Sequence, residues 1–307
     1  VISAPDISSV YDAPLNFEKE HLGDIFCEKF GFKNDKKLVI KNASKWKKFA
    51  KSVHSAKDEV NIAIVGKYFE TGDFVLSDAY ISVIEALKYS AYKLGKKPVL
   101  HWMSSHRFEE KKNLKSLKNY DGVLLPGGFG SRGIEGMINV IQYVREKKIP
   151  YFGLCYGMQL MVIEYARNVV KIKNATSREI DSKSPNLVVD VMVDQESLVK
   201  DGNLGGTMRL GGYMAKIHKG TQAYRAYKDE SVLERHRHRY EVNPEYIDRI
   251  SVAGLVFSGT SPDGVLMEIA ELPEKEHPFF LATQFHPEFI ASPLIPHPLF
   301  TAFLKAS

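Results

Sequence analysis

Cysteine is scarce in this chain, which has two among its 307 residues, Cys27 and Cys155. So few thiols exclude a disulfide framework and a structural zinc site built from thiolates, and they favour a reducing, cytoplasmic location. We expect no metal site. We also expect Cys27, which lies in an amphipathic stretch, to be a small buried residue.

Three further absences narrow the function. No apolar run approaches the roughly 20 residues that a membrane-spanning helix needs, and no Gly-x-x-x-x-Gly-Lys-Ser/Thr loop is present to hold the phosphates of ATP. Aromatic residues are sparse beside the lysine-rich stretch 33–57, which favours a solvated face there over a nucleic-acid surface. We therefore expect this chain to bind no membrane, no nucleic acid and no cofactor.

The pattern of the chain changes near residue 58. Residues 1–57 hold two helical patterns and the lysine-rich stretch without a catalytic motif, whereas strands and helices alternate from Val60 onward. Strands are expected at 61–68, 98–102, 122–126 and 150–154, and again at 187–193, 255–258, 266–269 and 279–285. This order predicts an α/β fold, with an open, mostly parallel central sheet and helices on both faces.

The strongest chemical signal is the run Gly153-Leu154-Cys155-Tyr156-Gly157, which lies between an apolar strand and a helical pattern. It is the sequence form of a nucleophile elbow, with a thiol where related hydrolases place a serine. The glycines allow a sharp turn, and the helix N-terminus favours the thiolate form of Cys155. The pattern indicates a cysteine that attacks a carbonyl carbon.

A base for this thiol is expected from His286, which follows the strand at 279–285. Glu288 lies two residues further on, and in an extended chain the two side chains project from the same face. The carboxylate can then orient the imidazole, whose other nitrogen faces the thiol. A strand-capping His286 beside a solvated Glu288 is the alternative for an isolated His-Pro-Glu, but the elbow favours the catalytic interpretation.

Acyl transfer also needs hydrogen-bond donors for an oxyanion. Residues 126–130 form a Pro-Gly-Gly-Phe-Gly loop that follows a strand end, as Cys155 does, and ligands bind at that edge of a parallel sheet. We expect one donor from this loop and a second from the backbone N–H of Tyr156.

Two arginine-containing segments, 204–211 and 234–243, complete the candidates. On a strand, Arg235, Arg237 and Arg239 would share one face. Arginine binds a carboxylate ligand through a bidentate fork, whereas an exposed basic edge strand is the structural alternative.

These residues resemble those of the class I, triad-type glutamine amidotransferases, and more narrowly those of the glutaminase domain of CTP synthase. Segments 153–159 and 286–288 carry the broad resemblance, and the narrower one rests on 126–133, 204–211, 234–243 and 297–300. Residues 58–307 would be the amidotransferase domain, and residues 1–57 would be the end of the synthetase domain and the linker. Because the chain begins with Val1 rather than Met, we interpret it as a fragment or a processed chain.

The resemblance implies a catalytic role for three side chains. Cys155 would be the nucleophile, His286 the base and then the acid, and Glu288 the carboxylate that orients the imidazole. The oxyanion would be held by Gly128 and Tyr156. Many relatives carry Leu where this chain has Tyr156, so we expect a change of packing there rather than of chemistry.

The resemblance also implies a set of glutamine-binding residues. The set comprises Gly128, Tyr156, Gly157, Met158, Gln159, Glu179, Arg239 and Arg237. Within it, Glu179 and Arg239 match the positions that hold the amino and carboxylate ends of the substrate.

A division of labour follows from the resemblance. The domain would hydrolyse glutamine and pass ammonia to a synthetase domain, where ATP and Mg²⁺ serve the amination of UTP to CTP, with GTP as activator and a homotetramer as the whole enzyme. The alternatives are an amidotransferase for another acceptor, a γ-glutamyl hydrolase and a non-catalytic regulatory module of the same fold. The segments 204–211 and 234–243 argue against the first two, and the intact triad argues against the third.

Overall fold

The computed structural model of the chain describes residues 2–3, 5–33, 36–67, 70–71, 74–75, 80–191 and 208–307, with side chains at all of these except 36–40, 70–71 and 74–75. The predicted segment 204–211 is therefore described only from residue 208, and the predicted strands 61–68 and 187–193 only as far as 67 and 191.

The described α-helices are α1 (Ala13–Lys19), α2 (Leu22–Phe30), α3 (Lys36–Ser55), α4 (Ile81–Lys93), α5 (Ile134–Lys147), α6 (Tyr156–Asn168), α7 (Gln222–Tyr227), α8 (Pro244–Val252) and α9 (Pro298–Ala306). Tighter helical turns lie at Val10–Asp12, Ser105–Glu109, Lys111–Asn119 and Pro287–Phe289. The described strands are β1 (Asp58–Gly66), β2 (Glu70–Thr71), β3 (Phe74–Val75), β4 (Lys96–Ser104), β5 (Gly122–Leu125), β6 (Tyr151–Leu154), β7 (Thr176–Ser177), β8 (Leu187–Val191), β9 (Arg209–Ile217), β10 (Ser231–His238), β11 (Tyr240–Val242), β12 (Val256–Thr260), β13 (Met267–Glu271) and β14 (Phe280–Thr283).

Nine of the described strands form one sheet, in the order β10-β9-β12-β13-β14-β6-β5-β1-β4. Neighbours from β4 to β14 run parallel, whereas neighbours from β14 to β10 run antiparallel. The predicted α/β fold around an open central sheet is confirmed, and the structure adds an antiparallel extension on one side of the parallel strands.

The strand expected at 187–193 belongs to a smaller, three-stranded sheet. This strand is β8, which pairs with β11 and β7 rather than with the main sheet. One residue, Arg239, separates β10 from β11, so the chain leaves the main sheet at this point. The prediction that Arg235, Arg237 and Arg239 share one strand face is therefore wrong for Arg239, although Arg235 and Arg237 are both exposed on β10.

Helices cover both faces of the main sheet. On β1, Ala63 and Val65 belong to a buried cluster that includes residues of α5 and α6, and Ile62 and Ile64 belong to one that includes residues of α4 and α9. Successive side chains of a strand point to opposite faces, so β1 is buried on both sides. Burying a large apolar side chain of this kind contributes about 2 kcal/mol.

This layering brings four strand ends together. Strands β14, β6, β5 and β1 are consecutive neighbours and run in the same direction. Their carboxyl ends lead into His286, Cys155, the loop 126–130 and Lys67, respectively. The sheet therefore gathers the residues of the predicted site at one edge.

The N-terminal segment packs against α4 through aromatic rings. Tyr11 and Phe49 meet edge to face with their ring centroids 5.1 Å apart, and Phe49 also contacts Tyr89 and Tyr92. The indole N–H of Trp46 donates to the backbone oxygen of Tyr11 over 2.8 Å. The division of the chain between residues 57 and 58 stays a prediction.

Helix α2 buries none of its residues. Cys27 lies on this helix and is half-buried, so the expectation that it is a buried core residue is wrong. The amphipathic pattern around Cys27 indicated a helix correctly, but the described residues do not cover the apolar face of that helix.

Candidate active site

Cys155 lies at the turn between β6 and α6, as the elbow pattern predicts. Its backbone has φ 50° and ψ −95°, a conformation that costs a residue with a side chain about 1–3 kcal/mol. The backbone N–H of Cys155 donates to the carbonyl oxygen of Thr283 over 2.6 Å, which ties the turn to β14. Strain of this kind is typical of a nucleophile elbow.

Close packing explains both glycines of the elbow. A Cβ atom on Gly157 would lie 2.6 Å from the carbonyl oxygen of Leu125, and one on Gly153 would lie 2.6 Å from the hydroxyl of Tyr151. Both distances are far shorter than a carbon–oxygen contact allows. The glycines therefore let α6 start directly against β5 and β6.

His286 lies beside Cys155 and is oriented by Glu288. Its Nδ1 is 2.7 Å from Oε1 of Glu288, and its ring stacks on Phe289 with the centroids 4.8 Å apart. The sequence suggested an extended chain here, whereas the structure has a helical turn at Pro287–Phe289. The predicted contact between His286 and Glu288 is nevertheless present, because the helical turn also places the carboxylate of Glu288 beside the imidazole.

The electrostatics of His286 favour its protonated form. Burial lowers the pKa of His286, but the negative charges of Glu288 and Cys155, each also hydrogen-bonded to the imidazole, outweigh burial and raise that pKa well above its ordinary value. Because Nδ1 faces Glu288, Nε2 is the nitrogen that remains for the thiol. The pair is therefore suited to an imidazolium–thiolate couple.

The glycine-rich loop 126–130 closes over this pair. A Cβ atom on Gly127 would lie 2.8 Å from Cε1 of His286 and 3.7 Å from Cβ of Cys155. Only glycine lets the backbone approach the imidazole so closely. Gly128, the expected oxyanion donor, lines the cavities on both sides of Cys155.

Three side chains hold the far end of this loop at Gly130. Nζ of Lys67 donates to the carbonyl oxygens of Phe129 and Gly130 over 2.9 and 2.5 Å, and the hydroxyl of Tyr156 donates to the same Gly130 oxygen over 2.8 Å. Oε1 of Glu179 accepts from the Gly130 N–H over 2.7 Å. Tyr156 thus changes more than packing, because its hydroxyl bonds the loop.

Lys67 was missed in the sequence. Burial lowers its pKa to about 8, with Glu179 opposing that effect. Its Nζ also lies 4.5 Å from the centroid of the Tyr156 ring, a distance at which a cation is attracted to an aromatic face. The only signal was its place directly after the first strand.

Two cavities meet at Cys155. The first is also lined by Gly128, Phe129, Gln159, Glu179, His238, Arg239 and Tyr240. The second includes Arg237, His286, Glu288 and Phe289 with part of α4. The structure thus brings Gly128, Gln159, Glu179 and Arg239 together at the first cavity, and it places Arg237 at the second.

Three of the predicted substrate-binding residues, Tyr156, Gly157 and Met158, line neither cavity. Met158 is fully buried in the hydrophobic cluster, and Gly157 packs against Leu125. Both belong to the first turn of α6, so they support the backbone of that turn and line neither cavity described above.

A buried polar cluster lies behind the first cavity, formed by Arg209, His236, His238, Glu241 and Glu268. A guanidinium nitrogen of Arg209 lies 2.8 Å from Oε1 of Glu268, and Nδ1 of His236 lies 2.9 Å from Nε2 of His238. Burial and the charge of Arg209 lower the pKa of His236 to about 2 and that of His238 to about 3. Both histidines are therefore neutral at pH 7.

The carboxyl groups of this cluster are shifted the other way. Burial raises the pKa of Glu268 to about 7 against the opposing charge of Arg209, and it raises the pKa of Glu241 well above its ordinary value. Of the residues in segment 234–243, only the arginines were predicted to bind a ligand. The inward positions between them, His236 and His238, were the signal for this cluster.

Glu268→Gln is expected to change how stability depends on pH. Folded Glu268 keeps its proton up to a pH of about 7, whereas its reference pKa is 4.5. The folded state therefore binds more protons between these values, and the free energy of unfolding falls as the pH rises. Between pH 5 and pH 8, the unfolding free energy of the native chain should fall by about 2–3 kcal/mol more than that of the variant. Urea unfolding of both chains at these two pH values measures the difference.

Glu274→Gln is the matched control, because the side chain of Glu274 is 64% exposed. Its unfolding free energy should follow that of the native chain at both pH values. A Glu268→Gln variant that also follows the native chain would contradict the assignment of a protonated, buried Glu268.

No group of three or more His, Cys, Asp or Glu side chains in the described ranges is placed to hold a metal ion. Among the helices that the structure describes, none is both long and apolar enough to cross a membrane.

Comparison with known proteins identifies relatives over most or all of the chain. The family described as "Glutamine amidotransferase class-I" matches residues 75–306. CTP synthase of Caldanaerobacter subterraneus subsp. tengcongensis is 46% identical over 306 residues, which cover 100% of this chain and 54% of that protein. CTP synthase of Pyrococcus abyssi is 46% identical over 308 residues, which cover 100% of this chain and 55% of that protein.

A solved structure agrees with these matches. The glutaminase domain of Trypanosoma brucei CTPS, which has acivicin bound, is 36% identical with a TM-score of 0.73, over 80% of this chain and 93% of that one. The present chain spans about half the length of the curated relatives that it matches. It belongs to the class I glutamine amidotransferase family, and within that family to the glutaminase domains of CTP synthases.

Proposed function

We propose that this chain hydrolyses glutamine through a thioester on Cys155 and supplies ammonia for the synthesis of CTP. The observation that carries the proposal is that a catalytic triad lies beside a cavity lined by both an acidic and a basic side chain. Cys155, His286 and Glu288 form the triad, and Glu179 and Arg239 line the cavity.

The charges of this cavity suit a free amino acid. The guanidinium of Arg239 can pair with an α-carboxylate through two parallel hydrogen bonds, and the carboxylate of Glu179 can attract an α-ammonium group. Cys155 lines the same cavity, so the carboxamide at the other end of glutamine would face the sulfur. The cavity has a volume of about 10 Å³ in the free chain and must open to admit the substrate. Gln159 lines the cavity as well, and because its NH₂ group donates to Tyr240 and Gln284, it offers its amide oxygen to that carboxamide.

The chemistry follows from the triad. The thiolate of Cys155 attacks the carboxamide carbon, and the carbonyl oxygen becomes an oxyanion beside the backbone N–H groups of Gly128 and Tyr156. His286 gives its proton to the nitrogen, the C–N bond breaks, and ammonia leaves. Water, deprotonated by His286, then attacks the thioester, and glutamate and the thiolate are released.

The destination of the ammonia is proposed from the relatives, which are named CTP synthases. They extend beyond the length that this chain matches. In the whole enzyme a synthetase domain would use ATP and Mg²⁺ to aminate UTP, with GTP as activator and a homotetramer as the assembly. The complete protein would work in the cytoplasm, and the chain itself needs no cofactor for glutamine hydrolysis.

Acivicin tests the assignment of the nucleophile, because it is the molecule bound in the related Trypanosoma brucei domain. We expect acivicin to modify Cys155, glutamine to protect it, and the half-buried Cys27 to stay unmodified. Peptide mapping by mass spectrometry distinguishes the two thiols. Modification of Cys27 with Cys155 untouched would refute the proposal.

Lys67→Met is expected to lower kcat for glutamine hydrolysis about tenfold, and Tyr156→Phe about threefold to fivefold. Each change removes hydrogen bonds that hold Gly130, and a lost bond costs about 1 kcal/mol when neutral and more when charged. Ammonia release measures both. Lys97→Met, which removes a surface ion pair with Glu59, should leave the rate unchanged. Equal rates in all three variants would contradict a role of the hydrogen bonds that Lys67 and Tyr156 make to Gly130.

A further inference from the structure

Gln284 lies against the nucleophile, although none of the roles assigned above uses it. Its Nε2 donates to Sγ of Cys155 over 3.7 Å. The side chain is fully buried, in the short link between β14 and His286. The contact joins residues that are 129 positions apart in the chain.

A second amide fixes which way Gln284 faces. Nε2 of Gln159 donates to the carbonyl oxygen of Tyr240 over 3.1 Å and to Oε1 of Gln284 over 3.4 Å. The Tyr240 carbonyl can only accept, so it requires the NH₂ group of Gln159 on that side. Gln284 must then present its oxygen to Gln159 and its NH₂ group to the sulfur.

The backbone holds Gln284 in place as well. The backbone N–H of Gln284 donates to the carbonyl oxygen of Glu268 over 2.8 Å. Two residues further on, the backbone N–H of His286 donates to the carbonyl oxygen of Arg235 over 2.8 Å. The segment that carries the base of the triad therefore also carries this amide. Neither group can move far without the other.

The other groups around the sulfur do not replace this donor. His286 supplies a proton to the thiolate, but it must give that proton to the leaving ammonia. The carbonyl oxygen of Arg237 lies 4.0 Å from Sγ and would repel a negative charge there. His238, which lines the same cavity, is neutral at pH 7 because burial lowers its pKa to about 3, and the carboxylate of Glu288 is engaged by His286.

We propose that Gln284 is a further catalytic residue, which stabilises the thiolate of Cys155 through its amide N–H, and that Gln159 is a positioning residue that fixes this amide. The inference rests on the proposed function, because it takes Cys155 as the nucleophile. A hydrogen bond to an ionised acceptor is about twice as strong as one between neutral groups. Burial keeps water from competing for the sulfur.

The same donor serves both halves of the reaction. Before acylation it stabilises the thiolate that attacks the carboxamide. In the thioester the sulfur carries no charge, so the bond to Gln284 weakens. When water attacks the thioester, the C–S bond breaks, its electron pair returns to sulfur, and Gln284 stabilises the thiolate again.

The test is the pH dependence of Cys155 alkylation by iodoacetamide, followed for each cysteine by mass spectrometry. Gln284→Met keeps an unbranched side chain of similar length and removes the donor. We expect the midpoint of the profile to move up by about one pH unit, so that the rate at pH values below the native midpoint falls about tenfold, since a tenfold change corresponds to about 1.4 kcal/mol. Cys27 is the internal control, and its profile should not change.

Gln222→Met is the matched control variant. Gln222 is also buried, but its Nε2 donates to the carbonyl oxygen of Leu272, so its loss should affect stability and leave the Cys155 profile unchanged. Gln159→Met gives a second route if Gln284→Met does not fold. It should move the midpoint in the same direction by a smaller amount, because Gln284 is then free to rotate.

The outcomes separate this inference from the proposed function. Unshifted Cys155 profiles in folded Gln284→Met or Gln159→Met would overturn the inference while leaving the glutaminase assignment intact. A shift in Gln222→Met equal to that in Gln284→Met would also overturn it, because it would show a general loss of packing. In contrast, glutamine that fails to protect Cys155 of the native chain from iodoacetamide would count against the proposed function itself.

Discussion

Cys155→Ser is expected to abolish glutamine hydrolysis, with kcat reduced by at least ~10⁴-fold. A serine at this strained turn keeps the shape of the elbow, but its hydroxyl is not ionised near neutral pH. His286 is tuned to a thiolate partner, since the charge of Cys155 is one of the causes that raise its pKa. Ammonia release from glutamine measures the effect directly.

Cys27→Ser is the control for this experiment. Cys27 is half-buried on α2, far along the chain from the site, and the variant should hydrolyse glutamine at the native rate. Hydrolysis that persists in Cys155→Ser but disappears in Cys27→Ser would reverse the assignment of the nucleophile.

His286→Asn is expected to lower kcat about 10³–10⁴-fold, because one imidazole carries the proton in both halves of the reaction. Glu288→Gln should be nearly as damaging, with a loss of about 10²–10³-fold. That variant keeps an oxygen for Nδ1 but removes the negative charge that raises the pKa of His286. Steady-state hydrolysis across pH measures both effects.

The pH profile distinguishes charge from shape in Glu288→Gln. With the charge removed, His286 loses its proton at a lower pH, so the imidazolium–thiolate couple should persist over a narrower range. His297→Asn is a useful comparison, because His297 also pairs with a buried carboxylate, that of Glu234, but is not part of the triad. A Glu288→Gln variant with native kcat at every pH would contradict the orienting role of Glu288.

Much of this site could be predicted because its parts are local in sequence. The elbow is contained in five residues around Cys155, and His286 and Glu288 are two residues apart. Parallel strands bring such segments to one edge of a sheet whatever their separation along the chain. The pattern of strands and glycines was therefore enough to place these three residues together.

The remaining parts depend on contacts that no local pattern encodes. Arg239 leaves the face of Arg235 because the chain changes sheets there, and the alternation of charges does not mark that change. Lys67 reaches Gly130 over 63 positions, and Gln284 reaches Cys155 over 129. Such contacts follow from tertiary packing, which sequence periodicity does not determine.

The central claim is that glutamine is hydrolysed through a thioester on Cys155, and rapid acid quenching tests it most directly. The chain is mixed with ¹⁴C-glutamine, quenched in acid within the first turnover, and digested for peptide mapping. We predict that the label appears on the peptide containing Cys155, is removed by hydroxylamine as a thioester is, and is absent in Cys155→Ser. Ammonia release without any label on Cys155, or equal labelling of the Cys155→Ser variant, would contradict the claim.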